Sequence, residues 1–154
     1  MAIQSRLWLT PLLQTIHITM IGIVFVSMLS VALRVLGKIR TEEPLAEVWH
    51  RFAPWFWGAL GVMAGTGLVL SIGEPVRQVS ALSFWLKMAL IVIGVVSALY
   101  FGRTVGAAAG VTDAVPSGRT RFVAIATILL WLTIIFLGRS IAYDVEIWES
   151  WHLA

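Results

Sequence analysis

The chain contains no cysteine, and charged residues make up only 12% of its 154 residues. The absence of cysteine excludes disulfides, iron–sulfur clusters and thiolate metal sites. The low charge excludes a water-soluble globular domain, because such domains carry roughly 25% charged residues. Apolar residues make up 59% of the chain, and the mean hydropathy is +0.91. The composition is therefore that of an integral membrane protein, with room for four crossings of about 20 residues each.

Four apolar segments predict an all-α, four-helix integral membrane bundle, which forms a single transmembrane domain over residues 1–154. The first segment has no charged residue between Arg6 and Arg34, and it is too long for the apolar core of a cleaved signal peptide. A polar stretch with a short amphipathic piece, 37–51, follows it, and a second long connection covers 102–121. The predicted spans are 8–36, 52–72, 81–101 and 122–143.

Lysine and arginine are distributed unevenly between the two sides of this bundle. One side carries Arg34, Lys38, Arg40, Arg51, Arg103, Arg119 and Arg121. The other side carries Arg6 and Arg77, with Lys87 and Arg139 inside the spans. Because cytoplasmic loops carry the excess of lysine and arginine, both termini are expected on the periplasmic or external face of a bacterial inner membrane. This asymmetry also explains the net charge of +3, so we expect a lipid bilayer and no nucleic acid as partner.

Two residue patterns bear on how the helices are anchored and packed. The tryptophans near the predicted span ends are typical of an aromatic belt at the headgroup level: Trp8, Trp49, Trp55, Trp57, Trp85, Trp148 and Trp151. Gly61 and Gly65 form a small-xxx-small pair, which allows close approach of another helix. We expect this pair to pack inside the bundle. Contact with another copy or subunit, or space beside a flat cofactor, are the alternatives.

Three basic residues, His17, Lys87 and Arg139, lie inside the predicted spans, where no carboxylate accompanies them. Alternating helix directions place all three in the same outer leaflet. Because a lysine or arginine at the centre of a membrane helix costs roughly 2.5–3.5 kcal/mol, the cluster indicates a bound anion or a cofactor with acid groups. A b-type haem fits, with His17 as axial ligand of the iron and Lys87 or Arg139 near the propionates. A quinone headgroup fits less specifically.

Simpler interpretations of the same residues stay open. Lys87 and Arg139 are shallow enough for their charges to reach the headgroups. His17 can be a neutral imidazole hydrogen-bonded to Thr15, Thr19 or a neighbouring helix. Other possible ligands are Met20, Met88 and the tail residue His152, whereas His50 is expected at the opposite interface.

No nucleophile with a nearby base is recognisable, so catalytic residues and enzymatic activity stay open. Two functions follow: a haem-binding redox or electron-transfer subunit, or a cofactor-free accessory subunit of a larger membrane complex. Because a chain this small offers little shielded interior, we expect a homo-oligomer or other membrane subunits as partners.

The order of several short motifs resembles a known group of small membrane proteins. The motifs are Thr15-Ile-His17, Leu36-Gly37 after Arg34, the run 50–55 (HRFAPW) before the glycine-rich second span, and the run 84–90 (FWLKMAL). They are similar to the four-helix proteins related to the copper-resistance protein CopD and to HemJ-type protoporphyrinogen oxidase, and look closest to an uncharacterised branch. The resemblance covers roughly residues 10–105. It implies a b haem tied to a first-helix histidine and a third-helix lysine, which are His17 and Lys87 here.

Overall fold

Four helices make up almost all of the described part of the chain. The computed structural model describes residues 8–73, 82–108 and 116–140. The helices are α1 (Leu9–Val35), α2 (Leu45–Gly73), α3 (Leu82–Ala108) and α4 (Gly118–Ser140). All four are long and apolar enough to cross a membrane, because 23 residues already span about 34 Å at 1.5 Å per residue. The predicted all-α, four-helix membrane bundle is confirmed.

The helices run alternately up and down. Helix α1 packs along α2 and α4, and α3 packs along α4 and more lightly along α2. The first turns of α1 and α3 therefore meet the last turns of α2 and α4 at one end of the bundle, which we call the His17 end. The opposite end, with both long connections, is the Arg51 end.

The tightly packed apolar core lies in the centre and in the Arg51 half of the bundle. Its largest fully buried side chains are Trp131, Phe56, Phe101, Met28 and Ile134. On α1, burial of apolar residues begins only at Val24, in the second half of that helix. The His17 end is therefore packed more loosely, and polar side chains can be accommodated there.

Two glycines of α3 lie against indole rings of neighbouring helices. A methyl group on Gly94 would lie 3.0 Å from Cζ2 of Trp131, and one on Gly102 would lie 3.0 Å from Cζ2 of Trp49. Trp49 is consequently only 8% exposed, so its expected role as a headgroup anchor is wrong: it is a packing residue. Other predicted anchors are exposed (Trp8, Trp55, Trp57 and Trp85), and Trp148 and Trp151 lie outside the described residues.

An ordered turn ends α1 and leads into α2. Gly37 adopts a left-handed conformation with φ of +69°, and the N–H of Lys38 donates to the Leu33 carbonyl at 2.9 Å. This is a Schellman motif, for which glycine is favoured because it lacks a Cβ. The Arg34 side chain donates to the Glu43 carbonyl at 2.8 Å. Helix α2 then begins at Leu45, earlier than the predicted span, so the amphipathic piece is continuous with the membrane helix.

The small-residue face of α2 points away from the other three helices. Methyl groups added to Gly58, Gly61 or Gly65 would meet nothing within 4 Å, and all three residues are exposed. The expectation that Gly61 and Gly65 pack inside the bundle is therefore wrong. Of the four glycines in this stretch, the one that faces a neighbouring helix closely is Gly67, which lies against α1.

Candidate functional site

The imidazole of His17 is fixed by a hydroxyl on the neighbouring helix. His17 Nδ1 lies 2.9 Å from Thr66 Oγ1, and the same hydroxyl donates to the Val62 carbonyl at 2.9 Å. A threonine hydroxyl carries one hydrogen, so when it donates to a carbonyl it accepts from His17 Nδ1–H. Assigned from this network, neutral His17 carries its proton on Nδ1 and leaves the lone pair of Nε2 available.

A glycine provides the space for this ring. The Cβ position of Gly67 lies 3.2 Å from Cε1 of His17 and 3.8 Å from its Nδ1, so any larger residue would displace the imidazole. Thr66 and Gly67 are consecutive on α2. Thr66 supplies the hydrogen-bond partner of the His17 imidazole, and Gly67 leaves the space that the ring occupies. Small residues commonly allow this kind of close contact between membrane helices.

Lys87 approaches the same region from α3. Its side chain is partly buried and passes over Gly138 of α4, with Nζ 3.4 Å and Cε 3.7 Å from the position a Cβ would take. The structure thus places His17 and Lys87, which are distant in sequence, at the same end of the bundle, and a glycine of a neighbouring helix lies beside each.

Arg139 lies at the same end of the bundle, but its side chain is more exposed than that of Lys87. It belongs to the last turn of α4 and directly follows Gly138, and its side chain is exposed. All three residues predicted for the site therefore lie at the His17 end. Their role in binding a cofactor stays a prediction.

Acidic side chains are absent from this region in the part of the chain that the structure describes. Within residues 8–73, 82–108 and 116–140 the carboxylates are Glu42, Glu43 and Glu47, all at the Arg51 end. Glu43 pairs there with Arg40 at 3.0 Å and with Arg51 at 3.2 Å. The positive charge of Lys87 therefore has no carboxylate counterpart among the described side chains.

The other candidate ligands do not join this cluster within the described chain. His50 is exposed at the Arg51 end, as its interfacial interpretation expects, and Met20 packs against the apolar core. Met88 is 39% exposed, and His152 lies outside the described residues. No group of three or more His, Asp or Glu side chains able to bind a metal ion occurs in the described ranges. An iron site at the His17 end that used the described histidines would therefore depend on one imidazole nitrogen, that of His17.

Sequence reasoning missed three residues of this site: Thr66, Gly67 and Gly138. Thr15 and Thr19, proposed as partners of His17, instead donate to carbonyls of their own helix, at 2.8 Å each. A signal for Thr66 was present, because α1 and α2 are antiparallel. His17 lies about 12 Å from the start of α1 and Thr66 about 10 Å from the end of α2, at 1.5 Å per residue.

The fold and the site define an integral membrane protein of four helices with a polar, basic cluster at one end. The sequence profile of a family of unknown function, DUF6644, matches residues 8–144. The chain belongs to this family. No curated protein and no solved structure matches it.

Proposed function

We propose that this protein is a haem-binding redox or electron-transfer subunit of the bacterial inner membrane, with Nε2 of His17 as an axial ligand of a b-type haem. The observation that carries the proposal is the hydrogen bond between His17 Nδ1 and Thr66 Oγ1, 2.9 Å long. Metal-bound histidines almost always donate their other ring N–H to a carboxylate, a backbone carbonyl or water, which fixes the tautomer and the ring orientation. The Thr66 hydroxyl occupies that position here. The donor set of one oriented imidazole and nearby cations fits this group.

Lys87 and Arg139 would bind the acid groups of the cofactor. Lys87 is partly buried and has no carboxylate beside it among the described residues, so a bound acidic group would offset the cost of its charge. When bound, haem supplies one-electron transfer. Thr66 orients the imidazole, Gly67 leaves it room, and the apolar helices exclude water. The resemblance of the sequence motifs to CopD and HemJ-type proteins implies the same cofactor and the same two residues, His17 and Lys87.

An optical spectrum of the purified protein, with and without added haemin, tests the proposal. Wild type should show a Soret band, and His17→Ala should lose it. His50→Ala is the matched control, because that histidine is exposed at the Arg51 end, and it should leave the band unchanged. A wild-type protein without a Soret band after haemin addition, or His17→Ala with an undiminished band, would overturn the proposal.

A second candidate function is a cofactor-free accessory subunit of a larger membrane complex. The specific observation is the open face of α2, where a Cβ added to Gly58, Gly61 or Gly65 would meet nothing within 4 Å. Without a hydrophobic driving force in lipid, such close-approach surfaces are how membrane helices associate. Gly61→Leu should then release co-purifying subunits from the native membrane complex. Unchanged co-purification would count against this function.

We also propose that the His17 end faces the periplasm. Support comes from the excess of lysine and arginine at the Arg51 end, because such residues are retained on the cytoplasmic side. The chain has no cysteine, so single cysteines can be placed freely. Lys38→Cys should be protected from an impermeant thiol reagent in intact cells and Trp8→Cys should react; the opposite pattern would reverse the orientation.

A further inference from the structure

An apolar groove of about 390 Å³ runs between α1 and α2 on the outer surface of the bundle. Its lining carries no charged side chain and consists of Thr19, Gly22, Ile23, Val26, Ser27, Phe52 and Trp55. Gly22 leaves the groove open, because nothing lies within 4 Å of its Cβ position. Val26 and Trp55 border it and are 55% and 64% exposed. An open apolar groove of this kind, on a helix surface that faces lipid, matches a hydrocarbon chain.

The groove points toward the cationic end of the bundle. Phe52 lies about 10 Å from the start of α2 at 1.5 Å per residue, and the guanidinium of Arg40 lies over its ring, 5.6 Å from the centroid. The lining is therefore continuous with an arginine at the level of the headgroups, which also pairs with Glu43 at 3.0 Å. The exposed Lys38 is two residues away.

Positive charge dominates this end among the described residues. Seven cationic side chains stand against three glutamates: Arg34, Lys38, Arg40, Arg51, Arg103, Arg119 and Arg121 against Glu42, Glu43 and Glu47. Lysine and arginine side chains near the membrane surface attract anionic lipid. The apolar lining therefore suits a hydrocarbon chain. The cationic end of the groove, which we call its mouth, suits an anionic group on the same molecule.

We propose that this groove binds an acyl chain of an anionic phospholipid, whose phosphate lies beside Arg40 and Lys38. A second copy of the chain is the competing occupant. In a uniformly oriented membrane protein it would bring its own cationic end to the same level, and like charges facing each other oppose association. A phospholipid supplies the missing negative charge and the hydrocarbon chain together. The site is independent of the proposed haem site at the His17 end.

Native mass spectrometry of the full chain, released from micelles containing either phosphatidylglycerol or phosphatidylcholine, tests the proposal. Wild type should retain phosphatidylglycerol at least several-fold better than phosphatidylcholine. Gly22→Leu, which fills the groove, should reduce that retention several-fold. Gly61→Leu is the matched control, because it adds the same side chain to an exposed α2 glycine outside the groove, and it should retain lipid like wild type.

A second pair of variants tests the mouth of the groove. Arg40→Gln and Lys38→Gln should both reduce the preference for phosphatidylglycerol while leaving retention of phosphatidylcholine unchanged. Circular dichroism serves as the control that each variant is folded. Equal retention by wild type and Gly22→Leu, or equal retention of the two lipids by wild type, would overturn the proposal. A change in oligomeric mass with Gly22→Leu, at unchanged lipid retention, would assign the groove to a second copy instead.

Discussion

Replacement of Thr66 by valine tests the central contact of the candidate site. The substitution keeps the shape of the side chain and removes the hydroxyl that lies 2.9 Å from His17 Nδ1. Hydrogen bonds between membrane helices contribute about 0.6 kcal/mol on average and at most about 1.7 kcal/mol in double-mutant cycles. Because the His17 N–H would be left without its partner in a half-buried position, we expect a loss near the upper value, about 1.5 kcal/mol.

Reversible unfolding in mixed micelles, followed by circular dichroism, measures this loss. The double-mutant cycle of Thr66→Val with His17→Phe should give a coupling energy between about 0.6 and 1.7 kcal/mol. Thr66→Ser retains the hydroxyl and should recover most of the stability. Thr133→Val is the matched control, because that exposed threonine donates only to the Leu129 carbonyl, and its effect should stay within about 0.5 kcal/mol. A coupling energy below about 0.3 kcal/mol would refute the contact.

Four further predictions concern packing and the α1–α2 turn. Gly94→Ala should lower the free energy of unfolding by about 1–3 kcal/mol, because the methyl group would lie 3.0 Å from Trp131. In the same assay Gly61→Ala should raise it by about 0.5–1 kcal/mol, since its position is open. Gly37→Ala should cost about 1–2 kcal/mol, because φ is +69° there, and hydrogen exchange at the end of α1 should accelerate. Arg34→Gln should destabilise the connection between α1 and α2 by about 1.5–3 kcal/mol, measured as faster proteolysis between the two helices. Unchanged hydrogen exchange in Gly37→Ala, or unchanged cleavage in Arg34→Gln, would contradict the corresponding prediction.

The apolar lengths of the four segments are sufficient to determine the fold class. A bilayer leaves a long apolar segment with one solution, because only a helix satisfies its own backbone hydrogen bonds there. Four such segments in succession then fix an alternating bundle. This is why Arg6-to-Arg34, a stretch without charge, could be assigned as one helix, and why His17 and Lys87 could be placed at the same end.

The rotation of each helix about its axis was not available from the sequence. Because the helices are apolar around their whole circumference, no polar face marks which side is buried. Trp49 was expected at the surface and is packed on Gly102, whereas Gly61 and Gly65 were expected inside and are open. In lipid these choices depend on close packing between particular side chains, which residue type alone does not encode.

The sequence by itself determined which helices carry the basic side chains and at which depth, since length, charge and helical rise set both. Only the tertiary structure decided which neighbours they meet: Thr66 and Gly67 for His17, and Gly138 for Lys87. The physical reason is that depth follows from counting residues along one helix. The azimuth of a side chain is fixed by how three other helices pack around it.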